Sequence, residues 1–303
     1  MKVRLGYACI TNCINDSSSS PYTYSEYLKD GDIDKLDRVI ISNLKSLNNI
    51  IDYNIKNNIH FYRISSKIIP LATKDDVKFD YINKYKSYYD TIGKKISDSK
   101  MRVDFHPDQF CVLNSVKSDV VSNSVKILEY HYNLLNVLNV NDKILILHVG
   151  SSTFGKENSI SRFINNLPIY LRKCIAIEND DKVFNVNDVL KISKVTSIPV
   201  VLDYHHHLCN KSDFSFADIF NSWGNRRVKM HFSSPKNKRD YRSHNEYING
   251  DDFINFIEIL KKYDRDIDIM LEAKGKDDSL FRLVRYIKYK TDYEFIDDTT
   301  FLV

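Results

Sequence analysis

The residues with the most chemical capacity in this chain are imidazoles and carboxylates at the ends of short apolar runs. In chain order these ends carry His106-Pro107, His148, Glu178-Asn179, Asp203-Tyr204-His205-His206-His207, Lys229 with His231, and Glu272-Ala273-Lys274. Imidazoles and carboxylates without a neighbouring thiolate suit manganese, zinc or iron. A single histidine at such a place is more often a hydrogen-bonded residue than a ligand. A succession of run ends bearing metal-binding atoms points instead to a metal or catalytic site. Three carboxylates (Glu178, Asp203, Glu272) and at least five histidines exceed what one ion can hold, so a site of roughly two or three divalent ions with shared carboxylates is expected. Adjacent ions of this kind clamp a phosphate, generate a hydroxide nucleophile and stabilise the leaving oxygen, which is the chemistry of phosphodiester hydrolysis.

Lys229 stands out among these residues. Strand alternation puts it on the same face as His231, with Val228, Met230 and Phe232 on the other. A lysine beside metal ligands is repelled unless it is neutral or chemically modified. Nearby, residues 226–245 hold seven basic groups (Arg226, Arg227, Lys229, Lys236, Lys238, Arg239 and Arg242) against one acid, Asp240. Following a metal-bearing run, that stretch reads as a track for backbone phosphates, with Ser233, Ser234, Asn237 and Ser243 as further donors.

Something must bring these ends together. The apolar runs at Val3–Ile10, Phe61–Ile64, Met101–Phe105, Lys143–Val149, Ile175–Ile177, Val200–Leu202, Val228–Phe232 and Ile267–Leu271 read as strands. Between them lie 3.6-residue patterns such as Leu36, Val39, Leu44, Leu47, Ile51 and Ile55, or Val121, Val125, Leu128, Tyr132, Leu135 and Leu138. Eight strand–helix units predict an α/β chain in one (β/α)8 TIM barrel spanning 1–303, in which the strand ends converge on one mouth. A dinucleotide-binding glycine loop after the first strand is missing, which weakens the open-sheet alternative. Segments 16–34 and 233–251 are expected as long loops on the catalytic face.

Composition sets outer limits. The chain has 303 residues with 44 basic and 40 acidic side chains, a formal charge of +4, and 28% charged against 43% hydrophobic residues. That excludes wholesale disorder and a histone-like coat of positive charge. No apolar run approaches the ~20 residues of a membrane span, and the N-terminus shows no secretion signal. Five scattered cysteines do not form a disulfide framework, so reduced thiols are expected.

The ordered motifs resemble the ultraviolet-damage endonucleases, relatives of the endonuclease IV-type barrels. The likeness runs through Arg4-Leu5-Gly6-Tyr7, His106-Pro107-Asp108-Gln109-Phe110, Leu147-His148-Val149-Gly150 and Ala176-Ile177-Glu178-Asn179-Asp180. It continues through Val200-Val201-Leu202-Asp203, Lys229-Met230-His231 and Glu272-Ala273-Lys274-Gly275-Lys276. The resemblance implies a three-ion cluster, manganese first, with zinc, magnesium or cobalt as substitutes. It would be held by His106, His148, Glu178, Asp203, His206, His231, His244 and Glu272. His206 is chosen from the triplet by an Asp-x-x-His match; His205 and His207 are then supporting residues. The resemblance also implies a carboxylated Lys229, and Glu178, His231, Lys229 and Tyr7 as the residues that carry the reaction.

The implied reaction is incision of damaged double-stranded DNA on the 5′ side of pyrimidine dimers and abasic sites, leaving a 3′-hydroxyl and a 5′-phosphate. Gln109 and Phe110 match a glutamine–aromatic pair that enters the helix at the lesion, with Phe110 where other members have tyrosine. Tyr7, Asn12, Lys236, Arg239, Arg242 and Lys274 complete the expected DNA contacts, Asn12 through a spacing one residue longer than the family's. His60 and His131 are assigned to packing or surface. The expected protein is a monomer without an obligate partner or membrane, in a reducing cytoplasmic or nuclear compartment of cellular or viral source. A metal-dependent barrel sugar isomerase or epimerase, an abasic-site endonuclease without photoproduct activity, and a catalytically inactive lesion-binding protein are the alternatives.

Overall fold

A computed structural model describes residues 1–108 and 110–303. Eight parallel strands line the centre: β1 (Lys2–Ala8), β2 (Phe61–Arg63), β3 (Arg102–Asp104), β4 (Leu145–His148), β5 (Ile175–Glu178), β6 (Val200–Asp203), β7 (Val228–Phe232) and β8 (Ile267–Leu271). Their order is β3-β2-β1-β8-β7-β6-β5-β4. A parallel bridge between Phe105 and Leu145 joins the two ends, with Phe105 N–H donating to Ile144 O at 3.2 Å and Ile146 N–H to Phe105 O at 3.0 Å. This is the expected TIM barrel, with helices packed around it.

The helices form because their apolar residues fall on one stripe. Helix Ile33–Lys56 buries Leu36, Ile40, Leu44, Leu47, Ile50 and Ile51, and its N-cap Asp32 accepts a hydrogen bond from Lys35 N–H. Each such buried side chain contributes roughly 1.5–3 kcal/mol, and the cap about 1 kcal/mol. Helix Ser118–Val137 likewise buries Leu128, Leu134 and Leu135.

The barrel interior is polar in layers. At its N-terminal end Asp268 takes hydrogen bonds from Arg4 (2.6 and 2.7 Å) and Arg102 (2.9 Å). Above it Phe61 packs with Ala8 and Met270. Gly6 permits this packing, since a Cβ there would sit 2.3 Å from the Phe61 carbonyl oxygen. Higher still come Lys229, Asp104 and Arg63, and then the ligand layer at the mouth.

Two features depart from the sequence reading. Segment 16–34 is not a continuous loop: Tyr24–Asp30 is helical, closed by a capping box between Thr23 and Glu26, and the next helix starts at Ile33. The Thr-x-x-Glu signature was present in the sequence. A terminal hairpin, β9 (Glu294–Phe295) and β10 (Thr300–Leu302), also forms, and β10 lies antiparallel on the first half of β1. Segment 233–251 is irregular up to the helix that begins at Gly250, as expected. Among the described residues no helix is long and apolar enough to cross a membrane.

Candidate metal centre and active site

Glu178 closes β5, and everything at the mouth is arranged around it. Its Oε2 lies 2.9 Å from His106 Nε2 and 3.7 Å from His148 Nε2. Its Oε1 lies 2.8 Å from His231 Nδ1 and 3.6 Å from His206 Nδ1. Strand register explains part of this gathering: His148 pairs with Glu178, and Asp203 with His231. Two sets of donor atoms each fall within 4.8 Å of one another, His106–His148–Glu178 and Glu178–Asp203–His231–Glu272, and Glu178 belongs to both.

Asp203 does two things. As N-cap of helix Tyr204–Cys209 its Oδ1 accepts a hydrogen bond from His206 N–H at 2.7 Å, which fixes the histidine one turn on. Its buried Oδ2 has no hydrogen-bond partner among the described residues. Asn179, to which the sequence reading gave no role, braces the pair. It exchanges hydrogen bonds with the Asp203 backbone (3.0 and 2.9 Å), and its carbonyl oxygen lies 3.0 Å from His206 Nδ1. That contact leaves His206 Nε2 as the nitrogen available to a ligand.

The electrostatics suit cations. Burial alone would raise the Glu178 and Glu272 carboxyls. The imidazoles around Glu178, and Arg63 with His231 beside Glu272, instead hold both well below the usual carboxylate range. Burial pushes His148 and His231 down, toward neutral imidazole. Ionised carboxylates and neutral imidazoles are the forms that bind metal. Burial also opposes charge on His206, but Asp203 and Glu178 outweigh it and raise that group to about 9, so a cation there must displace a proton. The lone Asp203 Oδ2 and the mixed nitrogen–oxygen donor set fit divalent ions.

Lys229 is fully buried, shares a face with His231 as alternation predicts, and hydrogen-bonds Asp104. Burial is the main reason its amine is lowered to about 7, with Asp104 opposing. Asp104 and Arg63 were missed by the sequence reading. Arg63 Nη1 donates to Glu272 Oε1 at 2.7 Å and Nη2 lies 2.7 Å from His231 Nε2. Both residues sit at the ends of short strands, where an acid and a base among apolar neighbours were the available signal.

The remaining expected site residues are spread out. His244 stands on the 233–251 loop, bridged to Pro235, with its ring 6.2 Å from that of His206, and it belongs to neither donor set. His205 is buried, its Nε2 3.3 Å from the Arg242 carbonyl, and it anchors that loop; His207 packs edge-on against Phe214. Phe110 is exposed just past β3, with 71% of its surface accessible. Lys236, Arg239, Arg242 and Lys274 are exposed. Asn12 N–H donates to Asp277 and its side chain to the Lys274 carbonyl. Gln109 lies outside the described residues.

Two expectations change. Tyr7 is wholly buried against Tyr62, with its hydroxyl donating to Asn54 Oδ1 at 2.7 Å. It is a core residue, because its large ring fills space between β1 and the helix carrying Asn54. The basic stretch 226–245 also divides: Arg226 and Arg227 precede β7 and so lie at the opposite end of the barrel. They pair there with Asp142 and Asp266, each at 2.7 Å. With Lys229 buried, the mouth loop keeps Lys236, Lys238, Arg239 and Arg242.

Comparison with known proteins places the chain in a family. The family model described as UV-endonuclease UvdE matches residues 3–300. A UV DNA damage endonuclease of Bacillus cereus (strain B4264) is 35% identical over 298 residues, 94% of each chain. The crystal structure of SacUVDE superposes with a TM-score of 0.87 at 34% identity, covering 95% of this chain and 98% of that one. Endonuclease IV from Thermus thermophilus matches at a TM-score of 0.59 with 12% identity over 95% of this chain and all of that one, a likeness of fold. The chain belongs to the UvdE family of UV-endonucleases.

Proposed function

We propose that residues 1–303 act as one catalytic barrel that hydrolyses the phosphodiester on the 5′ side of a lesion in duplex DNA, leaving a 3′-hydroxyl and a 5′-phosphate. Pyrimidine dimers are the first substrate and abasic sites the second. The observation that carries this reading is Glu178, shared between two sets of metal-binding atoms at a mouth flanked by the cationic 233–251 loop.

His106, His148, Glu178, Asp203, His206, His231, His244 and Glu272 would hold divalent ions, manganese first and three in number. Such ions supply Lewis acidity to the phosphodiester and lower the pKa of a water nucleophile. The protein side of the work is positional. Glu178 draws four imidazoles to one place, Asn179 keeps Asp203 and His206 in register, and Arg63 offsets the charge of Glu272. Lys236, Arg239 and Arg242, with Lys274 and Asn12 beside that loop, contact backbone phosphates. Phe110, with Gln109 beside it, stacks at the damaged step, where weakened base stacking lowers the cost of opening the duplex. Carboxylation of Lys229 would turn the buried cation into an anion; a mass increment lost on acid treatment would reveal it.

The test incubates the protein and Mn²⁺ with a duplex carrying one pyrimidine dimer, beside an undamaged control. Cutting confined to the 5′ side of the dimer is expected. Equal cutting of both duplexes, or no cutting, would overturn lesion-specific incision.

A further inference from the structure

The far end of the barrel holds a concentration of positive charge that incision at the mouth does not use. Two neighbouring cavities open there, of about 280 and 450 Å³, and share Asn141 and Asp142 on their walls. Arg4, Lys100, Arg102 and Arg227 line the smaller one. Lys143, Arg172, Lys173 and Arg226 line the larger. Against these eight cations the walls present one carboxylate, Asp142. Asp268 and Asp266 lie close by and neutralise part of the charge through Arg4, Arg102 and Arg227, but cations remain in excess.

The hydrogen bonding is incomplete on the same residues. The Arg102 side chain is 6% exposed. Its Nη1 donates to Asp268 and the Arg227 carbonyl, and its Nη2 stands 3.3 Å from Asp142. Its Nε meets no acceptor among the described residues, and neither do Arg227 Nη1 and Arg172 Nε. Those nitrogens are themselves closed off from solvent, so what the cavities offer a ligand is the positive field of their walls, in concave sites whose combined size is that of a small-ligand pocket and whose charge suits phosphate oxygens.

We propose that this end of the barrel is a second anion site, which binds a small phosphate-bearing ligand away from the metal centre. The proposal does not depend on the reaction at the mouth. A duplex lying across this end would meet the rims of these cavities and leave their recesses empty, so a compact phosphate ester or pyrophosphate is the ligand that fits.

Trp223, the single tryptophan of the chain, lies beside this site. Its ring lies 5.3 Å from the Arg102 guanidinium and 5.5 Å from that of Arg226. The experiment titrates the full chain with inorganic pyrophosphate, follows tryptophan fluorescence, and uses sodium chloride of matched ionic strength as control. A saturable change is expected. Lys100→Gln with Lys173→Gln, both exposed, should move its midpoint about tenfold higher, the effect of losing two nearby charges. Lys236→Gln with Arg239→Gln, on the mouth loop, should leave the midpoint unchanged. No saturable change, equal midpoints in wild type and the Lys100/Lys173 variant, or a shift only in the mouth variant would each overturn the proposal. A response to a short undamaged duplex without one to pyrophosphate would overturn the small-ligand assignment.

Discussion

Arg63 donates through Nη1 to Glu272 Oε1 at 2.7 Å, at the inner edge of the metal-binding layer. Glu178, Asp203, Glu272 and Asp104 stand within or just below that layer, and the buried cations facing them are Arg63 and Lys229. The layer therefore carries net negative charge, which divalent ions complete. The His206 imidazole, held protonated by Asp203 and Glu178, adds one further positive charge, and Arg63→Gln removes one of these compensating cations. Urea unfolding of the metal-free variant should show a loss of about 3–5 kcal/mol, the scale of breaking a buried pair. Added Mn²⁺ should then raise the melting temperature by more than in wild type, because binding to the folded state alone is stabilising. An equal metal-induced rise in both would refute this charge balance.

Lys229 and Asp104 form a second pair, buried on both sides. Lys229→Met leaves buried Asp104 without its hydrogen-bonded partner and with only Arg63 Nε, 3.7 Å away, to offset its charge, and should cost about 3 kcal/mol, whereas Lys229→Met with Asp104→Leu should regain most of that. Neither variant should cut damaged DNA, since the layer beneath His231 is altered in both. Unfolding curves and incision assays on the same preparations separate the two effects. Full activity in the double variant would mean that Lys229 serves packing alone.

The strand ends were legible because ligand residues are polar atoms where period-2 apolar runs stop, and eight such runs imply one mouth. His106, His148, Glu178, Asp203, His231 and Glu272 meet there for that reason. Asn179 was visible only as a neighbour of Glu178, since its work is done through backbone groups of β6 that sequence does not display. Arg63 and Asp104 were hidden because β2 and β3 are short, so a charge at their ends looks like the start of a loop. The basic stretch was misread for a geometric reason. Twenty consecutive residues look like one patch, yet β7 runs through them and sends Arg226 and Arg242 to opposite ends of the barrel.

Phe110 exposes 71% of its surface and packs against little. Phe110→Ala should therefore change folding stability by less than about 0.5 kcal/mol. A stacking residue is worth about 1–3 kcal/mol per base, so binding to dimer-containing duplex should weaken by roughly tenfold or more while manganese content stays constant. Metal analysis beside a binding titration distinguishes these. Loss of metal with unchanged binding would refute the stacking role.

Chelation offers a test of the ligand layer. Removing divalent ions should abolish incision and lower the melting temperature, and Mn²⁺ should restore both. Glu178→Gln should abolish incision and most of the metal-dependent stabilisation together, because one carboxylate serves both donor sets. A variant that still gained the full Mn²⁺-induced stability would show that Glu178 is not a shared ligand.

His131 gives the fold its own dependence on pH. Its ring is buried in helix Ser118–Val137 against Phe105 and Tyr130, with Nδ1 2.7 Å from the Ile127 carbonyl. Burial lowers the imidazole to about 4 from an ordinary 6.5. The unfolded chain then binds a proton between those values that the folded chain refuses. Stability is complete above about pH 6.5, falls as the pH drops, and levels off near 4, with a total loss of about 3 kcal/mol. His131→Leu removes the titrating group while keeping an apolar filler beside Phe105, the residue that joins β3 to β4. The difference in unfolding free energy between wild type and variant should shift by about that amount from pH 7 to pH 4, in the variant's favour at low pH. A difference that stays constant over this range would show that the ring does not titrate with folding.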